Sequence, residues 1–208
     1  MNRTPGDIEP FVQIALRLQT LIQQKQYDLI PSIFTAISFK NGGKLSIRMA
    51  DPRDPFCRES MLILTFPDGE MIEDKDRNFE KMLTVENSFM GAWQVYLLNK
   101  LWMCLPLYGH AGYAKAKFFY TSDQLKEFAR IGKDDFGHPI EGLDPHKYDV
   151  TPSIQFEDDT FIVKVHVWND WRGLLLETKY IHIDSNGNVE IGKYDLDPLF
   201  EYNCDVNF

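Results

Sequence analysis

The sequence predicts an α+β fold: mainly antiparallel sheet, with hairpins at both ends of the chain packed on a central buried helix. Three observations predict it. Apolar and polar residues alternate in segments toward both ends, the period of a half-buried strand. Strong turn sequences separate those segments, namely Asn41-Gly42-Gly43, Pro67-Asp68-Gly69 and Asp184-Ser185-Asn186-Gly187. Between them, Val85 to Cys104 is apolar on almost every helical face, the pattern of a helix enclosed by its own protein.

The first element reads as a helix. Phe11, Ile14, Ala15, Leu18, Leu21 and Ile22 recur at helical spacing, with Arg17, Gln19, Gln23 and Gln24 opposite. Thr4-Pro5 offers a cap, although Pro10 can reset the start, and the pattern fades near Gln26. A hairpin is expected next: Ile33 to Phe39 alternates, Asn41-Gly42-Gly43 turns, and Leu45, Ile47 and Met49 return. Residues 51–58 carry two prolines, which suit a ladder poorly. Met61 to Phe66 reads as a third strand, and Glu70 to Ile72 as the start of a short fourth.

Residues 73–83 are charged and suit a helix start leading into the central helix, which Pro106 and Gly109 end. Ala114 to Tyr120 reads as a strand, and Thr121-Ser122-Asp123 as the cap of a helix from Gln124 to Ile131. Residues 132–152, rich in Gly and Pro, form a loop of about 20 residues, a length uncommon unless functional or mobile. Glu157-Asp158-Asp159 reads as a hairpin tip. The last quarter is a meander: Phe161 to Trp168, then Leu174 to Ile183, then Val189 to Tyr194. Asp197-Pro198 is expected to break the third strand before a short one over Leu199 to Cys204. The two β-rich segments are expected as halves of one sheet in a single domain spanning residues 1–208, with a split near residue 109 as the alternative.

Composition narrows the function classes. The chain has 208 residues, is 44% hydrophobic and 25% charged, and carries a net charge of −9. That charge is uneven. Residues 1–104 hold 12 Lys+Arg against 13 Asp+Glu, whereas residues 105–208 hold 10 against 18. An acidic second half argues against nucleic acid, whose phosphates need cations, and favours a basic protein partner. Met90 to Tyr108 is the most apolar stretch, but Gln94, Asn99 and Lys100 interrupt it, so no membrane span is expected. The opening MNRTPGDIEPF lacks the basic and apolar regions of a secretory signal. The three cysteines, Cys57, Cys104 and Cys204, are odd in number and far apart, which fits reduced thiols in a cytoplasmic protein, with Cys104 in the core.

Standard catalytic and phosphate-binding motifs are absent. Residues 184–195 put Val189 and Asp195 where a calcium loop needs Gly and Glu, so the segment reads as a turn. Asp134, Asp135, His138, Asp144 and His146 supply metal-ligand chemistry without the spacing of a known site, and read as plain surface loop. Cys57 beside Arg58 is a weak candidate nucleophile. No cofactor is expected.

Two clusters point to binding. Trp168, Asp170, Trp171 and Arg172 sit where two strong strands connect, with His166 on the same strand face as Trp168. Trp and Arg are enriched at interaction hot spots. Alternatively, Trp168 packs under the central helix and Arg172 pairs with Asp170. The second cluster is Tyr108, His110 and Tyr113, where Gly109 and Gly112 free the backbone after the helix. In class and composition the chain is similar to acidic α+β immunity proteins and other partner-binding modules. The sequence therefore favours a non-enzymatic module, of the immunity or inhibitor type, that binds a basic partner through an acidic-aromatic surface. The alternative is a small-ligand binder or enzyme with a pocket built on His110, Tyr113 and His166.

Overall fold

Pro10 decides where the first helix begins. Its missing N–H is harmless only in a first turn, and α1 spans Glu9–Gln23, starting after Ile8 rather than at Thr4. Phe11, Val12, Ala15, Leu18, Leu21 and Ile22 face the core. Lys25 closes the helix at φ 57°, so that its N–H meets Ile22 O at 3.1 Å and the Gln26 N–H meets Leu21 O at 2.9 Å. That paired closure satisfies carbonyls the helix itself cannot. The computed structural model describes residues 4–51, 53, 60–74, 79–105 and 116–204, without the side chains of residues 102, 103 and 193.

The expected first hairpin does not form. Tyr27–Ile33 is a 3-10 helix. Strand β1 (Ile37–Phe39) precedes the Asn41-Gly42 turn, where both residues take positive φ, and β2 (Lys44–Arg48) follows it. The turn signal is real, but its two flanks join different sheets. β2 pairs with β3 (Met61–Thr65), and β3 pairs with β4 (Met71–Glu73). β1 pairs instead with β5 (Leu83–Val85). The charged run expected to open the central helix thus ends in a 3-10 turn, Glu80–Met82, and a strand. Ser88 starts α2 (Phe89–Cys104), its Oγ accepting the Gly91 N–H at 3.0 Å.

α2 is the enclosed helix the sequence announces. Ala92, Trp93, Val95, Tyr96, Leu97, Leu98 and Leu101 are all buried. Its polar side chains act as anchors. The Trp93 indole donates to Phe11 O at 2.8 Å, and Gln94 Oε1 accepts the Ala36 N–H at 2.7 Å.

After α2 come β6 (Lys117–Phe119) and α3 (Ser122–Ile131). A capping box joins Thr121 and Gln124, and Gly132 ends α3 at φ 63°. The loop that follows holds a 3-10 turn at Pro145–Lys147. A strand not expected from the sequence, β7 (Ser153–Glu157), turns through Asp158-Asp159 into β8 (Thr160–Asn169). Both turn residues have positive φ, which matches the twist of a tight hairpin.

β9 (Gly173–Ile183) and β10 (Val189–Phe200) complete a five-stranded antiparallel sheet in the order β10-β9-β8-β6, with β7 also on β8. β10 is not broken at Asp197-Pro198. It continues to Phe200, shifting register between Ile191 and Tyr194 and again between Pro198 and Phe200. Pro198 is tolerated because β10 is an edge, where a missing donor need not face a partner. The two β-rich segments therefore form separate sheets rather than halves of one.

Alternation along β8 splits the packing. Phe161, Val163, Val165 and Val167 join Ile181 and Ile183 in the core under α1 and α2. Trp168 and Leu174 face the other way and pack with Phe119, Leu125, Phe128, Ile140 and Val150. That second cluster lies under α3 and the 132–152 loop, so the sheet is covered on both faces.

Candidate functional site

The connection from β8 to β9 is built from its sequence. Asn169 Oδ1 accepts the Trp171 N–H at 3.0 Å, and Asn169 O accepts the Arg172 N–H at 3.0 Å. Gly173 closes the loop at φ 83°. A Cβ there would collide with the Phe200 carbonyl oxygen and lie 2.8 Å from Tyr202 N. Only glycine supplies both the conformation and the space.

This corner divides the residues that the sequence groups together. Trp168 is 1% exposed, so it is a core residue and not part of an open aromatic face. It does not lie under α2 either, because it points to the α3 side. Its indole N–H donates to Asp170 Oδ1 at 2.6 Å. Asp170 is itself buried; its Oδ2 accepts the Asp135 N–H at 3.3 Å and its carbonyl accepts the Cys204 N–H at 2.9 Å. Asp170 therefore serves Trp168, not Arg172. Arg172 is exposed, and Trp171 is half-buried with its ring edge-on to Phe136 at 5.7 Å. Trp171 and Arg172 line a surface hollow with Pro198, Glu201 and Tyr202.

His166 is buried, and burial lowers its pKa while Asp149 pushes the other way. Its Nδ1 has no hydrogen-bond partner. Tyr108, His110, Tyr113 and Cys57 lie outside the described residues. Cys104 is half-buried, and Cys204 is the more deeply buried thiol.

The loop carboxylates have structural work. Asp134 Oδ1 accepts the N–H groups of Phe136 and His138 at 2.9 and 2.8 Å, and Oδ2 accepts the Tyr202 hydroxyl at 3.0 Å. Burial pushes the Asp134 pKa up, but these hydrogen bonds outweigh it and hold the pKa low. Asp135 pairs with Lys117, and Asp144 accepts the His146 N–H. Among the described residues, no group of three metal-ligating side chains is arranged to hold an ion. No described helix is long and apolar enough to cross a membrane.

Part of the acidic charge of the second half lies on the free edge. Glu190, Asp195 and Asp197 on β10, and Glu201 just beyond it, are all exposed. The Tyr180 hydroxyl donates to Asp195 Oδ2 at 3.2 Å, whereas Tyr194, 53% exposed, turns to the other face of the sheet, against Lys100 and Lys179. The row meets the Trp171 hollow at Glu201, which belongs to both.

A second polar centre lies on the α2 side of the sheet, and sequence reasoning missed it. Lys100 Nζ is 2.8 Å from Glu177 Oε2, with both side chains more than nine-tenths buried. The Lys100 and Lys179 ammonium groups lie 5.2 and 5.1 Å from the centroid of the Tyr194 ring. Burial lowers the Lys179 pKa, and Lys100 lowers it further. Tyr96 is fully enclosed, and burial together with the Glu177 charge raises its pKa well above the ordinary tyrosine value. Beside this centre is a cleft of about 350 Å³. Met61, Phe79, Val95, Leu98 and Ile191 give it apolar walls, and Glu80 and Asn99 are among its polar groups. The sequence did carry a signal. Lys100 stands in an otherwise apolar helix and Glu177 in an apolar strand, and two opposite charges on core positions call for each other.

Comparison with protein-family models, curated proteins and solved structures finds no match to this chain.

Proposed function

We propose that the chain is a non-enzymatic partner-binding module, an inhibitor or immunity-type protein that takes a basic partner on the outer side of β10. One observation carries the reading: an exposed acidic row, Glu190, Asp195, Asp197 and Glu201, ends at Glu201 in a hollow that Trp171 and Arg172 also line. Acidic groups steer a basic partner into encounter, and an aromatic-lined hollow offers a seat for one of its side chains. The surface proposed is not the one centred on Trp168, which is buried. It keeps Trp171 and Arg172 from that group and adds the strand edge. A pocket built on His166 has no such support, because His166 points to the α3 side and lines neither the hollow nor the cleft.

The test compares wild type with Asp195→Asn/Asp197→Asn and with Trp171→Ala, each first checked for folding by circular dichroism. Tagged proteins are incubated with native cell extract at low and high salt. The expected result is one basic protein retained by wild type, weakened by salt and lost from both variants, which then binds as a purified component. Identical retention by wild type and variants would overturn the proposal.

A further inference from the structure

The cleft between β3, α2 and the first residues of β10 is separate from the acidic edge, and its chemistry is specific. Its apolar wall is drawn from three elements and one flanking residue: Met61 from β3, Val95 and Leu98 from α2, Ile191 from β10, and Phe79 ahead of β5. A volume of about 350 Å³ lies within the range of small-molecule sites, roughly 300–1,000 Å³. Into this wall the chain sets the carboxylate of Glu80. Glu80 is half-buried, and no hydrogen bond or ion pair joins it to another side chain among the described residues. Lys179 is near enough to act on it through the field but forms no ion pair with it. Asn99 shares the cleft, and its amide likewise has no hydrogen bond among the described residues. Both side chains are half-buried, so the carboxylate and the amide stay within reach of a ligand that enters the cleft.

We propose that this cleft binds a small apolar molecule carrying a primary ammonium group. The ammonium meets Glu80, the Asn99 amide oxygen accepts a second of its three N–H bonds, and the carbon skeleton lies against Met61, Leu98 and Ile191. A carboxylate ligand is disfavoured because it would face Glu80. An uncharged alcohol retains the apolar contact but lacks the charge-assisted bond. Burial also raises the Glu80 pKa, so bound ammonium would compete with a proton for the same oxygens.

The test uses n-hexylamine, hexan-1-ol and hexanoate, titrated separately into the full chain labelled at Met and Ile methyl groups and followed by NMR. Wild type should bind hexylamine more tightly than hexanol and hexanol more tightly than hexanoate, with the Met61 and Ile191 methyl signals shifting. Glu80→Gln keeps the shape and removes the charge. It should weaken hexylamine by about tenfold, the loss of one charge-assisted bond, while leaving hexanol unchanged. The proposal is overturned if the three probes bind alike, if the amine preference survives in Glu80→Gln, or if hexylamine leaves the Met61 and Ile191 signals unmoved. The last result would place the amine on the acidic outer strand instead.

Discussion

The Lys100 ammonium and the Glu177 carboxylate meet at 2.8 Å between α2 and β9, with side chains 9% and 5% exposed. The partners are 77 residues apart in the chain, so the pair ties the central helix to the sheet. Its geometry is incomplete, because Glu177 Oε1 and the Tyr96 hydroxyl are both buried without a well-formed hydrogen bond. Glu177→Leu leaves Lys100 uncompensated and should cost about 3–5 kcal/mol. The double variant Lys100→Met/Glu177→Leu should recover most of that loss, since an apolar pair replaces an imperfect ionic one. Urea denaturation of the two variants checks both expectations.

The two tryptophans of the β8–β9 connection should respond differently. Trp168→Phe removes the indole donor and leaves Asp170 Oδ1 unpaired in a buried setting, a cost of about 1–3 kcal/mol before any loss of ring contact. Trp171→Ala loses an edge-on contact at a half-buried position and should cost about 1 kcal/mol. Equal destabilisation in urea would contradict the assignment of Trp168 to the core and Trp171 to the surface.

Stability should fall with acid in a window set by His166. Burial lowers its folded pKa, so the unfolded chain takes up a proton near the ordinary value of 6.5 while the folded chain takes it up only at lower pH. The contribution is therefore complete above 6.5 and is lost as pH falls from 6.5 toward the folded pKa. His166→Gln should flatten the dependence of the urea midpoint between about pH 7.5 and about pH 5.5. An unchanged slope would place the titration elsewhere.

Gly173 and Gly69 make a matched pair. Both have positive φ, 83° and 90°. Nothing lies within 4 Å of a Cβ at Gly69, whereas one at Gly173 meets the Phe200 carbonyl. Gly69→Ala should cost about 1 kcal/mol from the backbone alone. Gly173→Ala should cost about 2 kcal/mol or more, because the end of β10 must move as well. Thermal unfolding of the two variants separates the terms.

What the sequence discloses follows the range of the interaction. β8 and β9 are legible because alternation and a short turn are local properties, as are the Thr121 cap and the Asp158-Asp159 turn. The end of the expected strand over Ile33 to Phe39 does form as β1, but its pairing is not legible, because its partner β5 lies across the chain and no turn between them announces it. β10 was expected to break at Pro198, since its status as an edge, which excuses the proline, is a property of the whole sheet. The surface was harder to read than the core. Trp168 looks the same in sequence whether its strand face is open or covered, and only the placement of α3 decides. Glu80 gave no signal at all, being one acid in a charged run until β5 and α2 walled it in.

The charged rim of β10 also bears on how copies of this protein treat one another. A bare strand end normally invites a second copy to continue the sheet. Here a copy laid along the same strand would bring Asp195 and Asp197 against its own acidic row, and both register shifts would have to be matched. Like charges set opposite one another repel, and only added salt or acid relieves them. A strand end of this kind discriminates by sign, disfavouring a second copy of itself relative to a positively charged strand.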